Sequence, residues 1–423
     1  MVSHSGSLNS MRMLYFTTAY NAALLDRVHE EFLLRWQALG HETSILVPDS
    51  SRDRQSRWLV EDGAIQVYRP AVSMQRSDRL LNNVGRRLTE YSYFFSLLRD
   101  YLSFLRQHPE IEIIHVESVY PLGAIAAVAS LIDRRPFVPT IRGGDLIADD
   151  SISYGFARYK RVRALLKLTF ARAAAIRSVS PSASAMAEQF GCPTQKIITI
   201  GRNIRDEYFE RDQAAFRAES RAWLRQTYPA IAGRNVIVAA GRLLPVKGFD
   251  DLIQALVGLP QAVALICGPN RVDEKLGDYG EYLGQLAHRH SVADRVIFTG
   301  GIPREQMPQY FAGADVLAVP SIIEGGNRTV LEAASLGVPF VATRSAGTPE
   351  FFSAAAGISI APHRPDQLWA GLATILAETS EQAQARSQTC QQEAQQFYSP
   401  QVAQRLARLY TAILAKQPLS GNF

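Results

Sequence analysis

The segment Glu324-Gly-Gly-Asn-Arg-Thr-Val-Leu-Glu332 places two carboxylates around a polar turn that reads as the start of a helix. A helix beginning near Asn327 leaves the backbone N–H groups of Arg328, Thr329 and Val330 without intrahelical partners, which suits a phosphate. Gly325 and Gly326 let a ligand approach the backbone closely. An ionised carboxylate only accepts hydrogen bonds, so Glu324 and Glu332 fit the hydroxyls of a ribose or hexose rather than the anion itself. Phosphate beside sugar hydroxyls is the chemistry of a sugar nucleotide. The alternative reading is that both glutamates serve only the helix terminus.

A second segment, Gly241-Arg-Leu-Leu-Pro-Val-Lys-Gly248, follows an apolar run. Arg242 supplies a guanidinium fork and Lys247 a point charge, and the two can converge on a diphosphate and neutralise it as it leaves a sugar. The chain has no Asp-x-Asp triplet and no GxxxxGK[ST] loop. The expectation is therefore a phosphate clamp without a metal or other cofactor. Alone, the segment also reads as a solvated turn with two surface cations.

Short apolar, β-branched runs must position these loops. They fall at 13–16, 45–47, 113–116, 137–138, 175–179 and 197–200, then restart at 236–240, 262–267, 296–298, 316–319, 340–342 and 358–360. Separated by helical stretches, they predict buried parallel strands and an α/β chain of two doubly wound, Rossmann-like domains, with ligands at the carboxyl ends of the strands in the cleft between them. The expected boundaries are 11–203 and 204–398, with a hinge near Ile204. A last helix over 399–416 carries Val402, Leu406, Leu409, Tyr410 and Leu414 on one face, suited to packing back on the amino-terminal domain.

The 423 residues, 47% hydrophobic and 20% charged, exclude disordered and collagen-like classes and suit two cores. Three dispersed cysteines argue against a disulfide framework or structural zinc. A net charge of +5 fits anionic ligands but is too weak to point to nucleic acid. With no basic start leading into an apolar run and no long uncharged apolar segment, the expected location is cytoplasmic.

The order Gly241-Arg-x-x-x-x-Lys247-Gly248, Val296-x-Phe298-x-Gly300, Pro320-Ser321-x-x-Glu324, Glu332-Ala333, Gly337-x-Pro339 and Gly347-x-Pro349-Glu350 resembles the family-4 retaining glycosyltransferases of the GT-B fold. The resemblance covers most of the chain from Met11 to Lys416. It implies that Gly241, Arg242 and Lys247 meet the donor diphosphate, that Glu324 contacts the transferred sugar, that Glu332 contacts the ribose, and that the backbone around Ile302 meets the base. In the amino-terminal half, which the resemblance makes the acceptor side, His115 and the loop Gly143-Gly144-Asp145 look like the family's inner loops. His115 equally suits an inward strand residue hydrogen-bonded in the core. The usual hinge sequence stands here as Gly201-Arg-Asn-Ile-Arg205, with Asn203 available for a left-handed backbone.

Residues 151–187 contain no acid, and their cations are interleaved with aromatics; 91–105 are similarly aromatic. Such stretches suit either an anionic membrane surface or a core with a solvated basic face. The expected function is transfer of a hexose from a nucleotide-sugar to a hydroxyl acceptor, lipid-linked or polysaccharide, with retention. The alternatives are a nucleotide-sugar epimerase of the same architecture and a non-catalytic sugar-nucleotide binder.

Overall fold

The structure, a computed structural model, describes residues 10–18, 27–48, 57–61, 65–70, 76–143, 145–148, 155–270, 272, 277–347, 349–419 and 423. The chain divides into two compact units, Met1–Asn203 with Ser399–Phe423, and Ile204–Tyr398.

In the first unit, β1 (Arg12–Phe16), β2 (Glu42–Leu46), β3 (Arg57–Glu61), β4 (Ile65–Arg69), β5 (Ile113–Val116), β6 (Phe137–Ile141), β7 (Ile176–Ser178) and β8 (Ile197–Thr199) form one sheet. Its order is β3-β4-β2-β1-β5-β6-β7-β8. β3 runs antiparallel to β4, and the other pairings are parallel. This hairpin corrects the expectation of parallel strands alone. On β4, Ile65 and Val67 are buried and Gln66 is exposed, so the segment alternates as a half-covered edge does and offers no continuous apolar run.

The helices of this unit are α1 (Arg27–Ala38), α2 (Arg76–Thr89), α3 (Phe94–Gln107), α4 (Leu122–Ala129), α5 (Lys160–Arg172) and α6 (Pro181–Gln189). α4 is apolar all round and sits in the core. Phe94, Tyr101 and Phe104 of α3 and Phe170 of α5 are buried in the same cluster. The aromatic residues of 91–105 and 155–187 are thus largely core, and the expected basic, aromatic surface shrinks accordingly. Part of its charge is also bonded to the backbone: exposed Arg172 donates to Ser130 O at 2.6 Å, and buried Arg177 donates to Gly201 O at 2.7 Å. Residues 151–154 lie outside the described residues.

In the second unit, β9 (Asn235–Ala240), β10 (Ala262–Cys267), β11 (Val296–Gly300), β12 (Val316–Val319), β13 (Phe340–Thr343) and β14 (Gly357–Ile360) pair in parallel in the order β11-β10-β9-β12-β13-β14. β10 and β12 are wholly buried, as their unbroken apolar sequences require. Around them lie α7 (Gln213–Thr227), α8 (Phe249–Ala255), α9 (Tyr279–Arg289), α10 (Met307–Gly313), α11 (Arg328–Ser335), α12 (Pro365–Leu376) and α13 (Ser380–Ala394). The chain moves outward from β9 to β11 and returns to β12 on the other side. The ends of β9 and β12 therefore flank a topological switch point.

α14 (Ser399–Leu414) returns to the first unit, where Val402, Ala403, Leu406, Leu409 and Tyr410 are fully buried against Met13, Tyr15, Leu33 and Trp36. Asn203 donates from Nδ2 to Ser399 Oγ at 3.2 Å, joining the chain's exit from β8 to the start of this helix. It does not take the left-handed backbone expected of it; the described non-glycine residues with positive φ are Glu90, Ser291, His363 and Lys416. The three cysteines are free and buried, and burial pushes each thiol up to about 12. No described helix is long and apolar enough to cross a membrane.

Leu406 fills the space between α14 and the sheet, so Leu406→Ala is expected to cost about 2–5 kcal/mol. Urea unfolding followed by tryptophan fluorescence checks this against Arg408→Ala on the exposed face of α14, which should leave the midpoint nearly unchanged.

Candidate active site

Two close backbone approaches build the switch point of the second unit. A Cβ on Gly268 would lie 1.8 Å from Gly241 O, so only glycine lets the loops after β9 and β10 meet. Gly248 has φ +63°, and a Cβ there would lie 2.2 Å from Pro320 O. The loop after β9 is thereby seated on the loop after β12, which brings Lys247 to Glu324.

Lys247 Nζ and Glu324 Oε1 form an ion pair with side chains only 19% and 14% exposed. The same Oε1 accepts from Ser321 Oγ at 2.9 Å and Asn327 Nδ2 at 3.2 Å. Oε2 has no hydrogen-bond partner among the described residues. The loop is pinned by Glu324 N donating to Ser345 O at 2.9 Å, and by Thr343 Oγ1 and Ser345 Oγ donating to Ser321 O at 2.5 and 3.0 Å. Ser321 and Asn327 thus orient Glu324, a part that spacing alone did not assign to them. The signal was their polar identity directly after a buried strand.

Asn327 also caps α11, its Oδ1 accepting from Thr329 N at 2.9 Å and Thr329 Oγ1 at 2.5 Å. This corrects the expectation of three N–H groups open to phosphate: the Thr329 N–H is taken by the cap. Gly241 follows β9 directly, and Arg242 beside it is exposed, with no ion pair or hydrogen bond among the described residues. Lys247 folds back beside Gly241, where a Cβ would lie 3.2 Å from its Cε, and its ammonium pairs with Glu324. Glu332 is half-buried on α11, where its charge, after burial itself, helps push the Tyr208 hydroxyl well above its ordinary value. Ile302, just past β11, is half-buried against the core of the unit.

In the first unit His115 and Asp145 are both buried. His115 is fully buried on β5, paired through Nδ1 with Tyr410 Oη of α14 and through Nε2 with Glu117 Oε1 at 2.9 Å, and stacked on Tyr15 at 4.9 Å. Both of its ring nitrogens are engaged in the core, as in the inward-facing alternative that the sequence left open. Asp145 is also buried, its carboxylate accepting from Val119 N at 3.0 Å and Arg142 N at 3.3 Å. Burial raises its pKa, and these hydrogen bonds oppose the rise. These bonds fasten the loop after β6 to the loop after β5. Gly144 lies outside the described residues. Glu117, buried between His115 and Arg142 at 3.4 Å, was missed; the signal was an acid ending the apolar run of β5.

Two Rossmann-like parallel units in one chain, one with a cation and carboxylate at its strand switch, have the GT-B architecture. Residues 221–393 match the family described as Glycosyl transferases group 1, and residues 26–203 match the Glycosyl transferase 4-like domain. The chain belongs to this glycosyltransferase family. It is 39% identical over 153 residues to the GDP-mannose-dependent alpha-(1-6)-phosphatidylinositol monomannoside mannosyltransferase of Mycolicibacterium smegmatis, covering 33% of this chain and 38% of that protein. The match thus spans well under half of that relative's length. A 23% identity over 364 residues, 81% of this chain and 83% of the other, links it to TuaC of Bacillus subtilis, provisionally named a teichuronic acid biosynthesis glycosyltransferase. The fold is that of Anabaena HepE, solved in complex with UDP-glucose, with TM-score 0.68, 20% identity, and coverage of 95% of this chain and 100% of that one.

Asn327→Ala removes both the cap and a hydrogen bond to Glu324 and is expected to cost about 1 kcal/mol or somewhat more. Asn327→Ser keeps a capping oxygen but cannot donate as an amide does, so it should recover most of the stability. Urea midpoints of the wild type and the two variants test this, and an Asn327→Ala midpoint equal to that of the wild type would remove the cap from the account.

Proposed function

We propose that the chain transfers a hexose from a nucleotide-sugar donor to a hydroxyl acceptor with retention at the anomeric carbon, in the making of a glycolipid or polysaccharide. The observation that carries this reading is the Lys247–Glu324 pair at the switch point, with Glu324 Oε1 fully engaged and Oε2 open. An acceptor-only oxygen held still in this way suits a sugar hydroxyl. Lys247, with Arg242 from the neighbouring turn, suits the charge that grows on a departing diphosphate. Arg328 and Val330 at the start of α11 add backbone donors for the same anion, Glu332 suits the ribose, and the backbone at Ile302 suits the base. The relatives' names support a nucleotide-sugar: one depends on GDP-mannose and acts on a phosphatidylinositol mannoside, and one binds UDP-glucose.

Glu324 is a poor nucleophile when one oxygen already holds three donors, which favours attack on the face from which the diphosphate leaves. The bond from the acceptor oxygen to the anomeric carbon forms as the bond to the phosphate oxygen breaks, and that phosphate oxygen takes the acceptor's proton. The protein's own cations supply the electrostatic stabilisation, with no metal needed.

The test is nucleotide release from a panel of GDP- and UDP-sugars, with and without hydroxyl acceptors, and assignment of the product's anomeric configuration by NMR. Lys247→Ala and Arg242→Ala are each expected to lower turnover roughly a hundredfold with the fold intact. Near-normal rates in both would remove the clamp. Full activity is expected in a chelator, and complete loss reversed by added metal would overturn the metal-free mechanism. A changed sugar released without acceptor would mean epimerisation, and donor binding without turnover a non-catalytic binder.

A further inference from the structure

α2 is turned inside out. Its inward face is Asn82, Gly85 and Thr89: Asn82 Oδ1 accepts from Ser96 Oγ at 3.0 Å, Thr89 Oγ1 donates to Gly85 O at 2.7 Å, and a Cβ on Gly85 would lie 2.6 Å from Ser92 O. Its apolar residues point the other way. Leu80 is 69% exposed and Leu88 56%, with Leu81 and Val84 exposed on the same stripe. A helix that wets four large apolar side chains on one face has that face for something other than its own core.

The surroundings of the stripe choose its occupant. Arg79, Arg86 and Arg87 of α2 are exposed along one side. α5 lies alongside, its Arg161 donating to Arg87 O, and it presents exposed Lys160, Arg161, Arg163 and Lys167. The acids on α2 and just after it are Asp78 and Glu90, and Glu90 lies 3.9 Å from Arg161. An apolar stripe edged by cations matches the boundary of an anionic bilayer, where side chains such as leucine enter the acyl region and arginines meet the headgroups. We propose that α2, with the exposed cations of α5, docks the amino-terminal unit on an anionic phospholipid surface. The proposal rests on this face alone and stands or falls independently of the transfer reaction.

The test is sedimentation of the full chain with vesicles of phosphatidylcholine alone or mixed with phosphatidylglycerol, at low and high salt. The wild type is expected to pellet with the mixed vesicles, less so at high salt, and to stay in solution with phosphatidylcholine. Leu80→Ser, Val84→Ser and Leu88→Ser combined should weaken binding about tenfold or more at both salts. Arg79→Ser, Arg86→Ser and Arg87→Ser combined should abolish the preference for the anionic lipid. All six positions are exposed, and unchanged urea midpoints verify the fold. Wild type left in the supernatant with anionic vesicles at low salt overturns the proposal, as does an apolar variant that pellets like wild type. A wild-type dimer that the apolar variant turns into a monomer, without vesicle binding by either, assigns the stripe to a second copy and also overturns it.

Discussion

An ammonium and a carboxylate taken largely out of water lose hydration that their mutual attraction only just restores, unless further hydrogen bonds satisfy what remains. The Lys247–Glu324 pair meets that condition through Ser321 and Asn327. Each of these partners is itself placed by something else. Ser321 is fixed because two side chains from the end of β13 bond its carbonyl, and Asn327 because it caps α11. Lys247 is fixed because Gly248 brings its loop against Pro320. The adjacency of β9 and β12 in a parallel sheet is what lets these loops meet at all.

The asymmetry of Glu324 then sets what the site can do. Three donors converge on Oε1 and none of the described residues reaches Oε2, so the carboxylate is rigid in position yet half open in valence. A ligand hydroxyl can bind there without displacing anything. An arriving anion, by contrast, must draw Lys247 toward itself, and the pair gives way only as far as the new charge compensates the ammonium. In the proposed transfer, charge growing on a leaving group would do this better than charge already spread over a bound donor, which is the direction that favours a transition state over a ground state.

Most strands were legible because a parallel strand covered on both faces must be apolar at nearly every position, as β5, β10 and β12 are. β3 and β4 were not, since an edge hairpin needs only alternate apolar residues, and Arg57, Glu61 and Gln66 break the run. Glu324, Lys247 and Asn327 were legible as a group because their loops follow buried strands, but the partner each would choose was not. Lys247 could be placed near phosphate by its type; only the seating of Gly248 shows that Glu324 holds it first. Asn203 and His115 were ambiguous for one reason: each has both a conformational or chemical use and a structural one, and a distant residue bonds each in this structure. Those residues, Ser399 and Tyr410, both lie on α14, far along the chain. α2 went unread because amphipathic spacing says that a helix has two faces, not which one its domain keeps.

The two units put polar side chains at the same topological place and use them in opposite ways. In the first, β1 and β5 flank the reversal of strand order, and Tyr15, His115, Glu117 and Arg142 are gathered there. With Asp145 fastening the adjoining loops and Tyr410 capping His115 from α14, that network is satisfied from within the unit. Buried polar groups closed on themselves specify a conformation and hold it, since losing any one member strands the others. In the second unit the network stops one acceptor short, at Glu324 Oε2, and leaves Arg242 exposed nearby. A closed network resists ligands because nothing it offers is unmet; an open one of the same build invites the group that completes it. The difference lies in few residues: around His115 the bonded groups hold a conformation, and at Glu324 one acceptor is left over.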